Sequence, residues 1–376
     1  MLMRAAVLRS SPFGRPYADT RPLSIETIEL APPGHDEVLV KITAAGLCHS
    51  DLSVINGDRP RQTPMVLGHE AAAVVVEPGP GVSDLVPGDS VVMSFLPTCG
   101  TCLSCLDGRA QLCMPGQAAN GAGVLLSGQR RLRCDDGTDI YHLCGVSAYA
   151  EYAVVSRRSI VKIDPDIPPE VAALFGCAVM TGVGTVVNTC QVRPGQSVAV
   201  VGLGGVGLSS ILGALACGAD QIIAIDLSPA KLDLARSIGA THAVLASDAD
   251  VVDAVRSYTS GGVDHAIEMA GSAPAFDLAY RITRRGGTTA TAGLANPNAR
   301  ISLAPVHMVA EERTLKGSYM GSCVPPRDIP RYLALYKRGR LPVERLLSGT
   351  GRLDDINEAF DRLDRGEVVR HVITSF

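Results

Sequence analysis

Four cysteines in one short segment form the clearest cluster of reactive side chains in the sequence: Cys99, Cys102, Cys105 and Cys113. The spacing Cys-x2-Cys-x2-Cys-x7-Cys suits four thiolates that complete a closed tetrahedral zinc site. Such a site leaves no position open for a substrate, so we expect it to fix a loop and to perform no chemistry. Disulfide bonds or free buried thiols are the alternatives. Metal is favoured because no secretory signal is found, and a reducing compartment keeps thiols free.

Three further candidate metal ligands are scattered along the chain: Cys48 in GLCHSD, His69 in LGHE and Cys177 in FGCAVMTG. Each is ambiguous alone, because a cysteine in an apolar run usually belongs to the core and a histidine after glycine is more often an ordinary loop residue. Two cysteines and one histidine with an open fourth position are, however, a known catalytic zinc arrangement.

A glycine-rich segment, GLGGVG at residues 202–207, predicts a dinucleotide site. It follows a predicted strand, opens a predicted helix and precedes Asp226, an acid at the end of the next strand, which is the context that the dinucleotide fingerprint requires. Asp226 can accept hydrogen bonds from ribose hydroxyls and would repel a 2′-phosphate, so NAD is favoured over NADP. Tight packing alone is the other explanation of the glycines. The glycines concerned are Gly202, Gly204, Gly205 and Gly207.

Length and composition favour a two-domain globular protein. A chain of 376 residues is too long for one ordinary core, and 46% hydrophobic with 19% charged residues is typical of good packing. The net charge of −4, without a long basic run, gives no indication of binding to nucleic acid or to an anionic membrane. Met1–Ser10 lacks the apolar core of a secretory signal, and a transit peptide is a weaker interpretation than a first strand at Arg4–Leu8.

Two uncharged segments, 171–192 and 196–219, are each long enough to span a bilayer. Both carry many glycines and polar residues, and the second divides naturally into a strand, a tight turn and a helix. We therefore expect no membrane span.

Strands and helices are predicted to alternate from Ser197 onward, which indicates a parallel, doubly wound sheet. The region before about Val179 has many Pro and Gly residues between short strand-like runs, which indicates a mostly β domain with long loops. The tail after about Ser322 is predicted to hold one helix, near Ile329–Arg338, and a final strand near Arg370–Thr374. The other predicted elements are the strands Glu37–Ala45, Ala71–Val76, Ser90–Met93, Ser197–Val201, Gln221–Asp226, Ala243–Ala246, Val263–Glu268 and Thr288–Thr291, and the helices Gly205–Ala216 and Pro229–Ile238.

The segments GLCHSD, GHE, the four-cysteine lobe, GCAVMTG and GLGGVG stand in the order and approximate spacing of one family. On these motifs the chain resembles the medium-chain zinc alcohol dehydrogenases over essentially its whole length. The resemblance implies an α/β protein with a GroES-like, β-rich catalytic domain and a Rossmann domain built on a doubly wound parallel sheet. The expected boundaries are 1–178 for the catalytic domain, to which 323–376 return, and 179–322 for the NAD-binding domain.

The resemblance also implies roles for individual residues at the metal. Cys48, His69 and Cys177 would be the ligands of the catalytic zinc. Asp51 would support His69, and Glu70 would lie close to the metal. The hydroxyl that bonds the substrate would come from Ser50.

Contacts to the cofactor and the substrate are implied in the same way, although each residue could instead have an ordinary packing or surface role. Those implied at the cofactor, beside the glycines and Asp226, are Thr181 and Val206 at the nicotinamide, His49 and Arg370 at the pyrophosphate and Lys231 at the ribose. Those that match the pocket, which is expected to be largely apolar, are Phe95, Leu143, Cys144 and Leu294, with Arg59 near its mouth.

The long segment between Cys113 and Cys177 resembles the branch that includes the vertebrate-type and the glutathione-dependent formaldehyde enzymes. That branch is commonly dimeric, so a homodimer is expected. Two departures matter. The glutathione-dependent members carry an arginine a few residues after the last lobe cysteine, where this chain has Met114–Gln117. Many members carry a histidine three residues after the hydroxyl residue of the CHSD motif, where this chain has Ser53.

We therefore expect a cytoplasmic, NAD-dependent alcohol dehydrogenase with two zinc ions per chain. Zinc would polarise the oxygen of a largely apolar primary or secondary alcohol, and hydride would pass reversibly to the nicotinamide, giving an aldehyde or ketone. One alternative is a dehydrogenase of the formaldehyde–thiol adduct S-hydroxymethylglutathione. Another is a non-catalytic NAD-binding structural protein, against which the full set of Cys48, Ser50, His69 and Cys177 argues.

Overall fold

The structure is a computed structural model that describes residues 1–376 and divides them into two compact units. The first unit consists of Met1–Cys177, Val324–Pro330 and Leu347–Phe376, and the second of Ala178–Cys323 and Arg331–Leu346. The strands, in chain order, are β1 (Leu2–Leu8), β2 (Leu23–Leu30), β3 (Glu37–Gly46), β4 (Met65–Val66), β5 (Glu70–Pro78), β6 (Ser90–Met93), β7 (Leu132–Arg133), β8 (Asp139–His142), β9 (Tyr152–Ser156), β10 (Ile160–Lys162), β11 (Ser197–Val201), β12 (Gln221–Asp226), β13 (His242–Leu245), β14 (Val263–Glu268), β15 (Thr283–Thr291), β16 (Thr314–Gly317), β17 (Leu347–Arg352) and β18 (Arg370–Ser375). The helices are α1 (Tyr17–Thr20), α2 (His49–Ile55), α3 (Leu103–Leu106), α4 (Met114–Ala122), α5 (Pro169–Leu174), α6 (Ala178–Gly184), α7 (Gly205–Ala216), α8 (Pro229–Ser237), α9 (Val251–Tyr258), α10 (Ala273–Ile282), α11 (Pro305–Glu311), α12 (Pro325–Lys337) and α13 (Ile356–Asp364).

The first unit is built from a closed barrel and an antiparallel-rich sheet. The barrel order is β1-β2-β7-β8-β4, and the sheet order is β10-β6-β5-β3-β18-β17, with β9 also paired to β3. In the pairing of β3 with β5, Gly46 lies opposite Glu70. Because antiparallel neighbours bring the end of one strand beside the start of the other, the segments carrying Cys48 and His69 leave the sheet at the same edge.

The segment that ends at Cys177 reaches this edge from α5, which packs on β3 and β5. Gly176 comes so close to the backbone there that a Cβ atom would lie 2.3 Å from the carbonyl oxygen of Met93. Only glycine allows this approach, and it places Cys177 next to the sheet edge.

The second unit is a six-stranded, all-parallel sheet in the order β13-β12-β11-β14-β15-β16. The order reverses between β11 and β14, which is the topological switch point where doubly wound sheets bind dinucleotides. The predicted strands Ser197–Val201, Gln221–Asp226 and Val263–Glu268 are confirmed residue for residue. The first two are nearly continuous apolar runs, which are typical of strands buried on both faces of a parallel sheet.

No helix of the structure has the length and apolarity needed to cross a membrane. Residues 171–192 fold into several short helical segments, and residues 196–219 fold into β11, a glycine turn and α7.

The prediction of a single helix in the tail is wrong, because α13 forms a second one. Ile356, Phe360 and Leu363 recur at helical spacing and are buried in the core of the first unit. Asp361 accepts hydrogen bonds from the backbone N–H groups of Tyr17 and Ala18, at 2.7 and 2.8 Å. The helical spacing of these apolar residues was present in the sequence. The helix was missed because charged residues between them make the segment look polar, although one face is buried.

Candidate active site

Cys48, His69 and Cys177 come from three distant segments and converge in the first unit. Their candidate ligand atoms all lie within 4.8 Å of one another, and all three residues are buried. The Sγ atom of Cys177 lies 3.5 Å from Nε2 of His69. Two sulfurs and one imidazole nitrogen are a donor set that suits zinc.

The protonation of the two thiols fits a divalent cation. A hydrogen bond from Cys177, with the charge of His69, holds the pKa of Cys48 well below its ordinary value despite burial. The same hydrogen bond, together with burial, raises the pKa of Cys177 well above its ordinary value. The two shifts are opposite because two adjacent thiolates repel each other, so ionisation of one thiol disfavours ionisation of the other. A divalent cation would supply the positive charge that stabilises both as thiolates.

Asp51 fixes the orientation of the histidine. Its Oδ1 lies 3.1 Å from Nδ1 of His69 and accepts the N–H of Gly68 at 3.0 Å. Burial lowers the pKa of His69, but the charges of Asp51 and Cys48 outweigh it and hold that pKa well above its ordinary value. With Nδ1 engaged by the carboxylate, Nε2 is the nitrogen left to face the metal position. A residue that the sequence analysis missed, Tyr149, has its hydroxyl 3.1 Å from Oδ2 of Asp51.

A buried ion pair lies beside the cluster. Nη1 of Arg370 lies 3.7 Å from Oε2 of Glu70 and donates to the carbonyl oxygen of Leu47 at 3.1 Å. Burial alone would lower the pKa of Arg370. The negative charges of Glu70, Cys48 and Cys177 outweigh this effect, and the net result is a pKa above the ordinary value. The guanidinium is thus a permanent positive charge next to the thiolates.

The remaining residues predicted around the metal lie on nearby segments of the first unit. The ring of Phe95 stands edge-on to His69, with 5.9 Å between the ring centroids. Helix α2 begins directly after Cys48, which places Ser50 in its first turn, and Oγ of Ser53 donates to the carbonyl oxygen of Ser50 at 2.8 Å. The other predicted positions are an exposed His49, a half-buried Arg59 and Cys144, and a buried Leu143.

The four lobe cysteines also converge, with their sulfurs within 4.8 Å of one another. Backbone N–H groups point at two of these sulfurs. Those of Thr101 and Cys102 lie 3.4 and 3.2 Å from Cys99 Sγ, and those of Cys99 and Gly116 lie 3.2 and 3.4 Å from Cys113 Sγ. Despite burial, the backbone donors lower the pKa of Cys99 to about 6. Four converging sulfurs with N–H donors fit a closed tetrahedral zinc site.

The glycine segment lies between β11 and α7 in the second unit. Gly202 has φ of 95°, and a Cβ atom on Gly207 would lie 1.9 Å from the carbonyl oxygen of Gly202, so both positions require glycine. Gly204 precedes α7 without a side-chain cap, and nothing lies within 4 Å of its Cβ position. The free N–H groups of the helix start, with open space in front, fit a pyrophosphate.

Asp226, the last residue of β12, lies beside the glycine turn. Its Oδ2 accepts the N–H of Leu203 at 2.6 Å, and its Oδ1 accepts the N–H of Ser228 at 2.9 Å. The carboxylate therefore braces the glycine turn in addition to the ribose role expected of it. The other predicted positions in this unit are a buried Thr181 in α6, half-buried Val206 and Lys231 at the starts of α7 and α8, and an exposed Leu294.

Comparison with known proteins agrees with this architecture. Residues 34–165 match the family Alcohol dehydrogenase GroES-like domain, and residues 205–338 match the family Zinc-binding dehydrogenase. The chain is 38% identical over 357 residues to an alcohol dehydrogenase class-3 from Myxine glutinosa, which covers 94% of each chain.

Two further relatives bear on the substrate. An S-(hydroxymethyl)glutathione dehydrogenase from Escherichia coli is 39% identical over 361 residues, which cover 95% of this chain and 97% of the relative. The crystal structure of a benzyl alcohol dehydrogenase from Acinetobacter calcoaceticus superimposes with a TM-score of 0.93 and 31% identity over 100% of both chains. With this identity along nearly the full length, and with ligand sets for two zinc ions and a dinucleotide turn in place, the chain belongs to the zinc-dependent medium-chain alcohol dehydrogenases and is an NAD-dependent oxidoreductase.

Proposed function

We propose that the enzyme interconverts a largely apolar primary or secondary alcohol and its aldehyde or ketone, with Cys48, His69 and Cys177 as the ligands of a catalytic zinc. The observation that carries this proposal is the buried convergence of these three donors within 4.8 Å. When bound, zinc supplies Lewis-acid polarisation of the substrate oxygen, and NAD supplies the hydride acceptor. A non-catalytic dinucleotide-binding protein would need no such set of donors.

The chain's own residues then divide the remaining work. Asp51 keeps the proton of His69 on Nδ1, so that Nε2 stays available as a ligand. Ser50 accepts a hydrogen bond from the substrate hydroxyl through Oγ, and it relays the released proton by passing its own hydroxyl proton on toward water as it accepts the substrate's. Phe95 and Leu143 exclude water from the reacting atoms, which strengthens electrostatic interactions there.

The other assignments complete this proposal. Cys99, Cys102, Cys105 and Cys113 hold a second zinc that has no part in the reaction. The residues proposed at the cofactor are the glycines of 202–207 with Asp226, together with His49, Thr181, Val206, Lys231 and Arg370. The residues proposed around the substrate, beside Phe95 and Leu143, are Arg59, Cys144 and Leu294, and Glu70 is proposed beside the metal.

The thiol-adduct substrate is the second candidate, because relatives that carry this activity in their names are 39% identical to the chain. Against it, the exposed start of α4 presents Gln117 and no arginine where a glutathione carboxylate would need a cationic partner. A charge-assisted hydrogen bond contributes about 1.5–3 kcal/mol, or roughly 10–100-fold in kcat/KM.

We therefore predict poor use of S-hydroxymethylglutathione relative to benzyl alcohol, measured as kcat/KM with NAD. Gln117→Arg should improve use of the adduct, whereas Ala118→Arg, at the next exposed position of the same helix, should not. A strong preference of the unmodified enzyme for the adduct would overturn the proposal in favour of the second candidate.

We also propose a homodimer in the cytoplasm. Strand β16 is an edge of the six-stranded sheet, and the preceding α11 exposes 66% of Val306 and 79% of Val309. An unpaired strand edge beside exposed apolar side chains suits a second copy of the chain. None of the eleven cysteines forms a disulfide, which agrees with metal-binding thiols in a reducing compartment. Sedimentation of the purified protein tests the dimer, and a monomer would contradict it.

A further inference from the structure

The carboxylate that orients His69 is itself held by a buried tyrosine. The hydroxyl of Tyr149 lies 3.1 Å from Oδ2 of Asp51 and 3.1 Å from the carbonyl oxygen of Gly46. Oδ1 of the same carboxylate already serves His69 and the N–H of Gly68. The tyrosine hydroxyl is thus the single donor to Oδ2. It has one proton for two acceptors at equal distance, and the charged carboxylate is a stronger acceptor than the carbonyl oxygen of Gly46.

The hydrogen-bonded chain from Tyr149 through Asp51 to His69 is shielded from solvent. Tyr149 and Asp51 are fully buried, and His69 is nearly so. A buried acceptor that loses its donor is destabilising, and more so when it is charged, because no water replaces the lost partner. The hydroxyl of Tyr149 is therefore matched to a carboxylate that has no other source of a hydrogen bond on that side.

The backbone and ring of Tyr149 are fixed by contacts independent of Asp51. Its ring stands edge-on to Phe360, with 6.0 Å between the centroids, and its N–H donates to the carbonyl oxygen of Leu67 at 3.1 Å. Its own carbonyl accepts the N–H of Ala6 at 2.8 Å. A phenylalanine would keep the ring packing and would avoid the cost of burying a hydroxyl, so packing alone does not account for the tyrosine.

We propose that Tyr149 is a positioning residue for the catalytic zinc, acting through Asp51 on the imidazole of His69. Its hydroxyl holds Oδ2, the carboxylate then cannot rotate away from Nδ1, and Nε2 keeps its direction toward the metal. This inference rests on the proposed assignment of Cys48, His69 and Cys177 as zinc ligands.

The test is the rate at which the purified enzyme releases zinc to an excess of a chromogenic chelator. Outer partners of ligating histidines are worth about 10–100-fold in metal affinity, so Tyr149→Phe should release zinc from the three-ligand site roughly 10-fold faster. Release from the four-cysteine site should not change and serves as an internal reference. The matched control is Tyr280→Phe, which removes another buried hydroxyl, one without a hydrogen-bond partner.

Two further readouts separate positioning from general loosening. In the Asp51→Asn background, Tyr149→Phe should change the release rate by less than about 2-fold, because the group through which it acts is already altered. With cobalt in the three-ligand site, the visible thiolate and ligand-field absorption should shift in Tyr149→Phe and stay unchanged in Tyr280→Phe.

Each outcome bears on a distinct claim. Release at the unmodified rate, an unchanged cobalt spectrum, or equal acceleration with Asp51 present and replaced would overturn the role of Tyr149. If the unmodified enzyme holds only one zinc ion, in the four-cysteine site, the proposed ligand assignment fails and this inference fails with it. Two zinc ions together with an unaffected Tyr149→Phe variant would remove this inference alone.

Discussion

At the scale of single residues, the candidate zinc site and the glycine turn differ in the charges that line them. Beside the positive charge of Arg370, the pKa of Cys48 lies well below its ordinary value and that of Cys177 well above it, so this buried site favours at least one thiolate. At the other site Asp226 is an acid that braces the glycine turn through the N–H groups of Leu203 and Ser228. The proposed metal site and the proposed NAD preference therefore both rest on individual charges, and each can be tested by removing one.

Removing the charge of Asp226 should narrow the preference for NAD over NADP. Asp226→Asn keeps an acceptor oxygen for the turn but no longer repels a 2′-phosphate, and about 1.4 kcal/mol of repulsion corresponds to a factor of 10. We expect the ratio of kcat/KM for NAD to that for NADP to fall by about this factor in Asp226→Asn and further in Asp226→Gly. Asp233→Asn, on the exposed side of α8, is the control. A native enzyme that uses both cofactors equally would show that this role of Asp226 is wrong.

The path of the released proton gives a second prediction at this scale. Ser50→Ala should lower turnover by about 10²–10⁴-fold, because it removes the hydroxyl that relays the substrate proton to water. Ser53→Ala should cost far less, since Oγ of Ser53 donates to the carbonyl oxygen of Ser50 and has no pKa near neutrality. Ser53→His should raise turnover near pH 7 if proton release is rate-limiting. Turnover is measured against pH for all three variants. Comparable losses of turnover in the two alanine variants would show that the hydroxyl of Ser53 is itself required for proton release.

At the scale of elements, strands and loops differ in how far the sequence predicts them. Five of the six strands of the second unit were predicted, because each is short and followed by a turn or helix, whereas the edge strand β16 was missed. For the first unit the sequence indicated strands but not their partners, and the register of Gly46 with Glu70 depends on long-range pairing that no local pattern encodes. The candidate zinc ligands were predicted from motifs, and the structure brings them together. Tyr149 was missed because its proposed role depends on a contact with Asp51, 98 residues away.

The four-cysteine lobe gives the prediction that belongs to this scale. It has only the four-residue helix α3 and short turns, so its stability must come mainly from the metal. Cys102→Ala should therefore lower the melting temperature, and a loss of about 2 kcal/mol corresponds to roughly 4–8 °C in a domain of this size. Cys217→Ala, at a half-buried cysteine of the second unit, should change it little. An unchanged melting temperature in Cys102→Ala would contradict a structural zinc.

At the scale of the whole molecule, the chain separates its functions between two units. The first unit carries both cysteine-rich ligand sets, and the second carries the parallel sheet with its glycine turn. The tail returns to the first unit as β17, α13 and β18, and β18 begins with Arg370 beside Glu70. The candidate metal ligands and the glycine turn thus lie in different units, so each set can be altered without changing the other.

The zinc content of the purified enzyme tests the central claim most directly. We predict about two zinc ions per chain in the native protein and about one in Cys48→Ala, which should remain folded because the lobe is intact. The remaining zinc should be lost only when the lobe is altered as well, as in the double variant with Cys102→Ala. A native protein that is fully active without zinc, or a Cys48→Ala variant that still holds two zinc ions, would contradict the account.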